Sequence, residues 1–171
     1  MPKVVGIDPG ATGGIFLLKV DENKQPISGK MLTCSSSDED TVRAIMSQIE
    51  GKRVDLVVVE QVAAFPGQGV SSTFTFGKRY GVILGCLHSM GVKVMLVRSQ
   101  KWQKDLGLTL PKGTGDDQPT PAKKKAHRRK LMKEGAFNKA KETFTECEGK
   151  KIGKENSDAA LIALWGAKFA L

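Results

Sequence analysis

Apolar positions along this chain follow two rhythms, one of strands and one of helices. Residues 3–8 (KVVGID) are apolar and β-branched until Pro9-Gly10 stops them, as in a buried strand. After the turn ATGG, residues 15–20 read as a second strand, and past the polar turn DENKQP residues 27–34 return as a third. The opening is therefore a β-meander. Ser37 or Asp38 can cap a helix over 39–50, whose apolar Val42, Ile45, Met46 and Ile49 recur at helical spacing. Residues 54–60 (VDLVVVE) are nearly continuous in apolar side chains, the pattern of a strand covered on both faces. A helix over 72–90, a strand over 92–97 and a short helix over 99–105 follow. Residues 111–121, with three prolines and two glycines, read as a flexible loop. A basic helical stretch comes next, with an interruption expected near Gly135, and an apolar helix over 155–170 closes the chain.

A meander followed by alternating helices and strands predicts an α/β fold with a mixed sheet, parallel in its later strands and flanked by helices. The 171 residues suit a single domain with a sizeable core. The excess of 27 Lys+Arg over 18 Asp+Glu gives a net charge of +9 and points to a polyanionic partner, nucleic acid or an anionic membrane. No run approaches the ~20 apolar residues of a membrane span, which favours nucleic acid. Cys34, Cys86 and Cys147 are odd in number and form no CxxC or zinc-like cluster with His88 and His127. Reduced thiols in an intracellular protein are the simplest account.

Against this background four acidic residues stand out. Asp8 ends the first strand, Glu60 ends the VVV strand, and Asp158 opens the apolar C-terminal helix, with Glu155 three residues earlier and roughly on the same face. If the two strands are neighbours, Asp8 and Glu60 emerge side by side, and a helix laid across the sheet can bring Asp158 and Glu155 to the same point. Clustered carboxylates repel, increasingly so in a low dielectric, and persist where a divalent cation neutralises them. Hard oxygen donors suit Mg²⁺ or Mn²⁺. Two such ions about 4 Å apart can activate a water and stabilise the leaving oxygen of a phosphodiester. Singly, each acid has an ordinary explanation: a turn former for Asp8, an ion pair for Glu60, a helix-dipole charge for Asp158.

GIDPG at 6–10, VVVEQ at 57–61 and ENSDAALIAL at 155–164 resemble the three acidic motifs of the RuvC Holliday junction resolvases, in order along nearly the whole chain. The stretch from Glu60 to Gly81, followed by Trp102, is most similar to the chloroplast and phage-type branch. The resemblance implies an RNase H-like fold and a dimeric nuclease that uses Mg²⁺ or Mn²⁺, two ions per site, to nick opposite strands of a four-way DNA junction symmetrically. It implies that Asp8, Glu60, Glu155 and Asp158 are the catalytic metal ligands, Glu155 standing where relatives carry aspartate or another metal-competent residue. Two departures from the bacterial pattern are visible. FPGQG lengthens the segment after Glu60, making Phe65 the nearest candidate for the aromatic that bacterial relatives place against junction bases, and the 111–121 loop lacks a clear counterpart.

For phosphate contacts the candidates are Lys78, Arg79, Lys101, Lys104, Lys112 and the run Lys123–Lys130, which includes Lys123, Lys124, Lys125, Arg128 and Arg129 and contains no acid. Gly77, Gly81 and Gly85 recur at every fourth position of one helix, although each glycine costs about 1 kcal/mol there relative to alanine. The stripe implies close approach of another backbone, either the sheet beneath or a partner helix; the family's dimerisation through this helix favours the partner. Rival readings are an actin-like sugar kinase, which needs a second domain and phosphate loop, an RNase H-type enzyme on RNA–DNA hybrids, and a junction-binding protein without catalysis.

Overall fold

Alternate residues of the first strand enter two different cores. The computed structural model describes residues 1–10, 12–63 and 69–171. In it, β1 (Lys3–Ile7) sends Val4 to one side of the sheet and Val5 and Ile7 to the other, all fully buried. Burial on both faces is why the run is continuously apolar. β1 pairs antiparallel with β2 (Gly14–Val20), and β2 pairs antiparallel with β3 (Pro26–Thr33), completing the meander. The chain then builds α1 (Asp38–Ile49), β4 (Leu56–Glu60), α2 (Val70–Ser89), β5 (Val94–Val97), α3 (Ser99–Asp105), α4 (Pro121–Thr143), the two-residue β6 (Glu148–Gly149) and α5 (Ser157–Phe169).

β4 lies parallel beside β1, and β5 parallel beside β4, giving the sheet order β5-β4-β1-β2-β3-β6. β6, which the pattern of the chain does not reveal, pairs parallel with β3 at the far edge. α1 and α2 cover one face of the sheet through Ile45, Ile49, Ile83 and Leu87. Ser37 caps α1 by accepting the Asp40 N–H at 3.2 Å, one of the two caps the sequence allows. The other face is covered by α5, with α3 and α4 packed beside it. There α5 lies directly on β1: a Cβ at Gly6 would stand 2.3 Å from the Ala159 carbonyl oxygen and 2.4 Å from the Ala163 nitrogen. Only glycine permits that approach, and it fixes where the first turn of α5 comes to rest.

Two expectations about the helices are corrected. α4 runs unbroken through Gly135, because the residues around it, Ala136 and Ala140, are buried in the core and keep the helix pinned. α5 starts at Ser157 rather than at residue 155. Asn156 occupies its cap position and ties down the preceding turn, accepting the Gly153 N–H at 2.8 Å and donating to the Lys151 carbonyl at 3.2 Å. Glu155 therefore belongs to that turn, not to a face of the helix. Residues 111–120 form successive turns closed by Thr114, Asp116 and Gln118 N–H groups onto Pro111, Gly113 and Gly115. They are fastened to α4 by Lys124 on Asp116 and by Arg128 on the Thr114 carbonyl. Among the described residues, no helix is long and apolar enough to cross a membrane.

Candidate active site

The register of β1 and β4 brings the first two acids together. Ile7 pairs with Val59, so Asp8 and Glu60 are the next residues of adjacent parallel strands. Asp8 is held by its own turn: its Oδ1 accepts the Gly10 N–H at 3.1 Å, and its backbone N–H bonds to the Gly14 carbonyl at 3.0 Å. Gly13 closes the turn so tightly that a Cβ there would lie 2.1 Å from the Asp8 carbonyl oxygen. Glu60 is contacted from α3, where the Ser99 hydroxyl donates to Oε1. Asp158 arrives in the first turn of α5, set over β1 and β2 by the contacts at Gly6 and Gly14.

Electrostatics shows that these three share one site. Burial raises the Asp8 pKa above the ordinary carboxylate range, opposed by the Gly10 N–H and by Lys133. Glu60 is pushed up to about 7, first by burial and then by the charge of Asp8, with Ser99 opposing and Asp158 adding to the rise. Asp158 is pushed up to about 6 by burial and by Asp8, with Lys133 opposing. Desolvation is the leading cause in each case, and for Glu60 and Asp158 the charge of Asp8 adds to it. All three line one cleft of about 710 Å³, and Glu155 lines it too from its exposed turn. The structure thus brings all four predicted acids to one cleft, three as a coupled group and Glu155 at the rim.

The donor set is all carboxylate, the chemistry that hard divalent cations select. Among the described residues no three of these groups stand close enough to grip one ion as they are placed. Their raised pKa values reflect buried charge, which a cation between them would compensate.

Basic residues are sorted by the structure more finely than by the sequence. Arg129 lines the carboxylate cleft, and Lys104 and Arg128 line a second groove of about 400 Å³ that shares Gln100, Gln103, Arg129 and Met132 with it. Lys123 and Lys125 are exposed on α4, while Lys124 pairs with Asp116. Lys101 pairs with Asp105 at 2.5 Å, on the side of α3 nearest Trp165. The reading of Arg79 as a DNA contact is corrected. It is only 6% exposed, bonding Asp38 at 3.2 Å and the Ser36 carbonyl at 2.6 Å, and so ties α2 to α1. Lys78 shares the same Asp38 at 2.8 Å but remains largely exposed. Phe65 lies outside the described residues.

The cleft also holds residues that the sequence reading passed over. Lys133 acts on both Asp8 and Asp158, and Arg98, Gln61, Ser99 and Phe76 join the lining. Lys133 follows Arg129 by one helical turn, a spacing that could have flagged it had the basic run been followed past residue 130.

A Cβ added at Gly77, Gly81 or Gly85 meets nothing within 4 Å among the described residues. The stripe faces outward, which removes the sheet as its packing partner. Val70 (86% exposed), Phe74 (73%) and Val82 (36%) lie exposed on the same helix.

No family model matches the sequence, and no curated protein matches it either. Solved structures do. T. thermophilus RuvC in complex with Holliday junction substrate superposes with a TM-score of 0.60 at 19% identity, covering 99% of this chain and 95% of that one. The fold is that of RuvC. A second Thermus thermophilus RuvC structure agrees, with a TM-score of 0.58, 18% identity, and coverage of 98% of this chain and 95% of the other. A Fowlpox virus resolvase in complex with Holliday junction DNA is similar over 95% of this chain at 15% identity, but its TM-score of 0.41 is too low to bear on the fold. The RuvC likeness fits the RNase H-like arrangement of a meander continued by parallel strands, with helices on both faces.

Proposed function

We propose that this chain is a Holliday junction resolvase, a metal-dependent endonuclease that makes paired nicks in four-way DNA junctions. The observation that carries the proposal is the convergence of Asp8, Glu60 and Asp158, from two neighbouring strands and a helix, in a cleft edged by Arg98, Arg129 and Lys133. Acids at the floor and cations at the rim suit a phosphodiester, whose backbone the rim attracts and whose cleavage the floor serves. The RuvC fold, of which one solved example holds junction substrate, supports the choice of DNA branch over other substrates.

Asp8, Glu60 and Asp158 would hold Mg²⁺ or Mn²⁺, two ions per site, with Glu155 completing the set from the rim. Bound there, the ions would supply an activated water and charge stabilisation at the leaving oxygen. The chain's own contributions are separate. The Gly10 N–H favours the charged form of Asp8 against its burial, and Lys133 offsets the charge of Asp8 and Asp158. Arg129 in the cleft lining offers a phosphate contact, as do Lys104 and Arg128 along the adjoining groove, and Lys78, Lys123 and Lys125 are further exposed candidates.

A homodimer through α2 fits both the substrate and the surface. Two cuts on opposite strands require two sites related by a two-fold axis. The open glycine stripe beside exposed Phe74 and Val82 is the surface of this chain best suited to such an approach. Three thiols without a disulfide suit an intracellular setting.

One assay separates this reading from its rivals. The protein is incubated with Mg²⁺ and either a mobile four-way junction or an RNA–DNA hybrid, beside an Asp8→Asn control. Paired symmetric nicks that a ligase can seal, absent from the control, are the expected result. Degradation of the hybrid with an intact junction would replace the proposal with an RNase H-type activity. Binding of the junction without cleavage by either protein would leave a junction-binding protein.

A further inference from the structure

We propose that Ser99 and Trp102 are positioning residues, which hold the Glu60 carboxylate in the orientation that takes a divalent cation. The proposal rests on the metal-dependent reading above. It begins with the route of the chain from β5 into α3. Val97 pairs with Glu60 across the sheet, and Arg98 alone separates Val97 from the first residue of α3. Ser99 is thereby delivered beside Glu60, and Trp102, three residues on, shares its helix face.

One hydrogen bond meets the carboxylate from this side, and a second donor sits on the same helix. The Ser99 hydroxyl donates to Glu60 Oε1. A serine at a helix start ordinarily turns back to cap its own backbone, yet this short helix has no side-chain cap, and the hydroxyl reaches across to another element. Trp102 is fully buried, and among the described residues its indole N–H has no hydrogen-bond partner. Buried donors without partners are rare and call for a reason. The influence of this N–H on Glu60 favours the charged carboxylate, from the helix that also carries Ser99. The indole can only donate, and the serine hydroxyl is placed to donate to Oε1, which fixes the orientation of the carboxylate. The remaining lone pairs of Glu60 stay open to the cleft that Asp8 and Asp158 share. Outer partners of this kind orient metal ligands, and their loss typically weakens metal binding by about 10–100-fold.

The test measures Mn²⁺ uptake without DNA, by the electron paramagnetic resonance of the free ion, in the full chain and its variants. Ser99→Ala should raise the Mn²⁺ concentration for half-saturation by about 10-fold or more, and Ser99→Thr, which keeps the donor, should bind like the parent. Trp102→Phe, checked for an unchanged thermal midpoint, should weaken uptake in the same direction; if it fails to fold, the serine pair decides alone. The proposal is overturned if Ser99→Ala takes up Mn²⁺ like the parent while Asp8→Asn loses uptake, an outcome that leaves the metal-dependent reading standing. If the parent takes up no Mn²⁺ at all, both fall together.

Discussion

Asp8 and Glu60 leave neighbouring parallel strands at the same level of the sheet, one residue beyond the Ile7–Val59 pair. Strand pairing fixes their backbones side by side, while the Gly10 N–H and the Ser99 hydroxyl hold the two carboxylates. Burial and the Asp8 charge together push Glu60 up to about 7, and Asp158 adds to that rise from above. Without a cation the site opposes the fold that builds it, as functional sites often do.

The consequence for pH runs in a definite direction. Glu60 rises from an ordinary 4.5 to about 7, and Asp158 from 3.8 to about 6, so between about pH 4 and pH 7 the folded chain binds more protons than the unfolded one. This contribution to stability is fully present below the lower values and is lost as pH rises through the folded ones. Glu60→Gln, which keeps the shape but cannot ionise, should therefore be more stable than the parent at pH 8 in chelator, by on the order of 1–3 kcal/mol, and no more stable at pH 4. Thermal unfolding at the two pH values checks this. A gain at pH 4 equal to that at pH 8 would show that charge is not the cause.

Arg129 and Arg79 should separate into two classes of variant. Arg129 is exposed and lines both grooves. Arg129→Ala should weaken junction binding and reduce the slope of log K against log salt by about one, with the thermal midpoint unchanged. Arg79 is buried against Asp38 and Ser36. Arg79→Ala should lower stability by roughly 1–3 kcal/mol and leave the salt slope alone. Salt-titrated binding and urea unfolding of both variants distinguish the outcomes, and a reduced slope in Arg79→Ala would restore it as a DNA contact.

Gly6→Ala tests the seat of α5. The added Cβ would meet helix backbone at 2.3 and 2.4 Å, where no flexible side chain can yield. The helix must lift from β1, at a cost of about 3 kcal/mol, and Asp158 must move with it. Urea denaturation should show the loss. A variant as stable as the parent would mean that α5 does not lie on β1 this closely.

For Gly81→Leu the monomer should be undisturbed, because the site opens into free space. A leucine there would nevertheless hold a partner helix away. If α2 carries the proposed homodimer interface, sedimentation should shift toward monomer relative to the parent, with the thermal midpoint of the monomer retained. A dimer of unchanged strength would place the interface elsewhere.

Much of this arrangement could be read along the chain, because local periodicity and turn chemistry act over a few residues. The meander, the doubly buried VVV strand, the Ser37 cap and the acids at the ends of β1 and β4 all follow from neighbours in sequence. The differences arise where packing, or a turn's own side-chain hydrogen bonds, outweigh periodicity. Gly135 does not break α4, because burial of Ala136 and Ala140 outweighs a propensity of about 1 kcal/mol. Asn156 finds partners in Lys151 and Gly153 and starts α5 late, which moves Glu155 off the helix. Arg79 in sequence is one more cation beside Lys78, and only the position of Asp38, 41 residues away in the chain, makes it a structural tie.

The carboxylates show the same division. By itself the sequence determined that Asp8 and Glu60 end strands and that Asp158 begins an apolar helix, since those properties belong to segments of a few residues. Only the tertiary structure decided that they meet. Parallel register placed Asp8 beside Glu60, the missing side chain of Gly6 let α5 settle against β1, and the passage from β5 into α3 carried Ser99 to Glu60. The physical reason is that charge repulsion, desolvation and donor geometry depend on distances through space, which spacing along the chain does not contain.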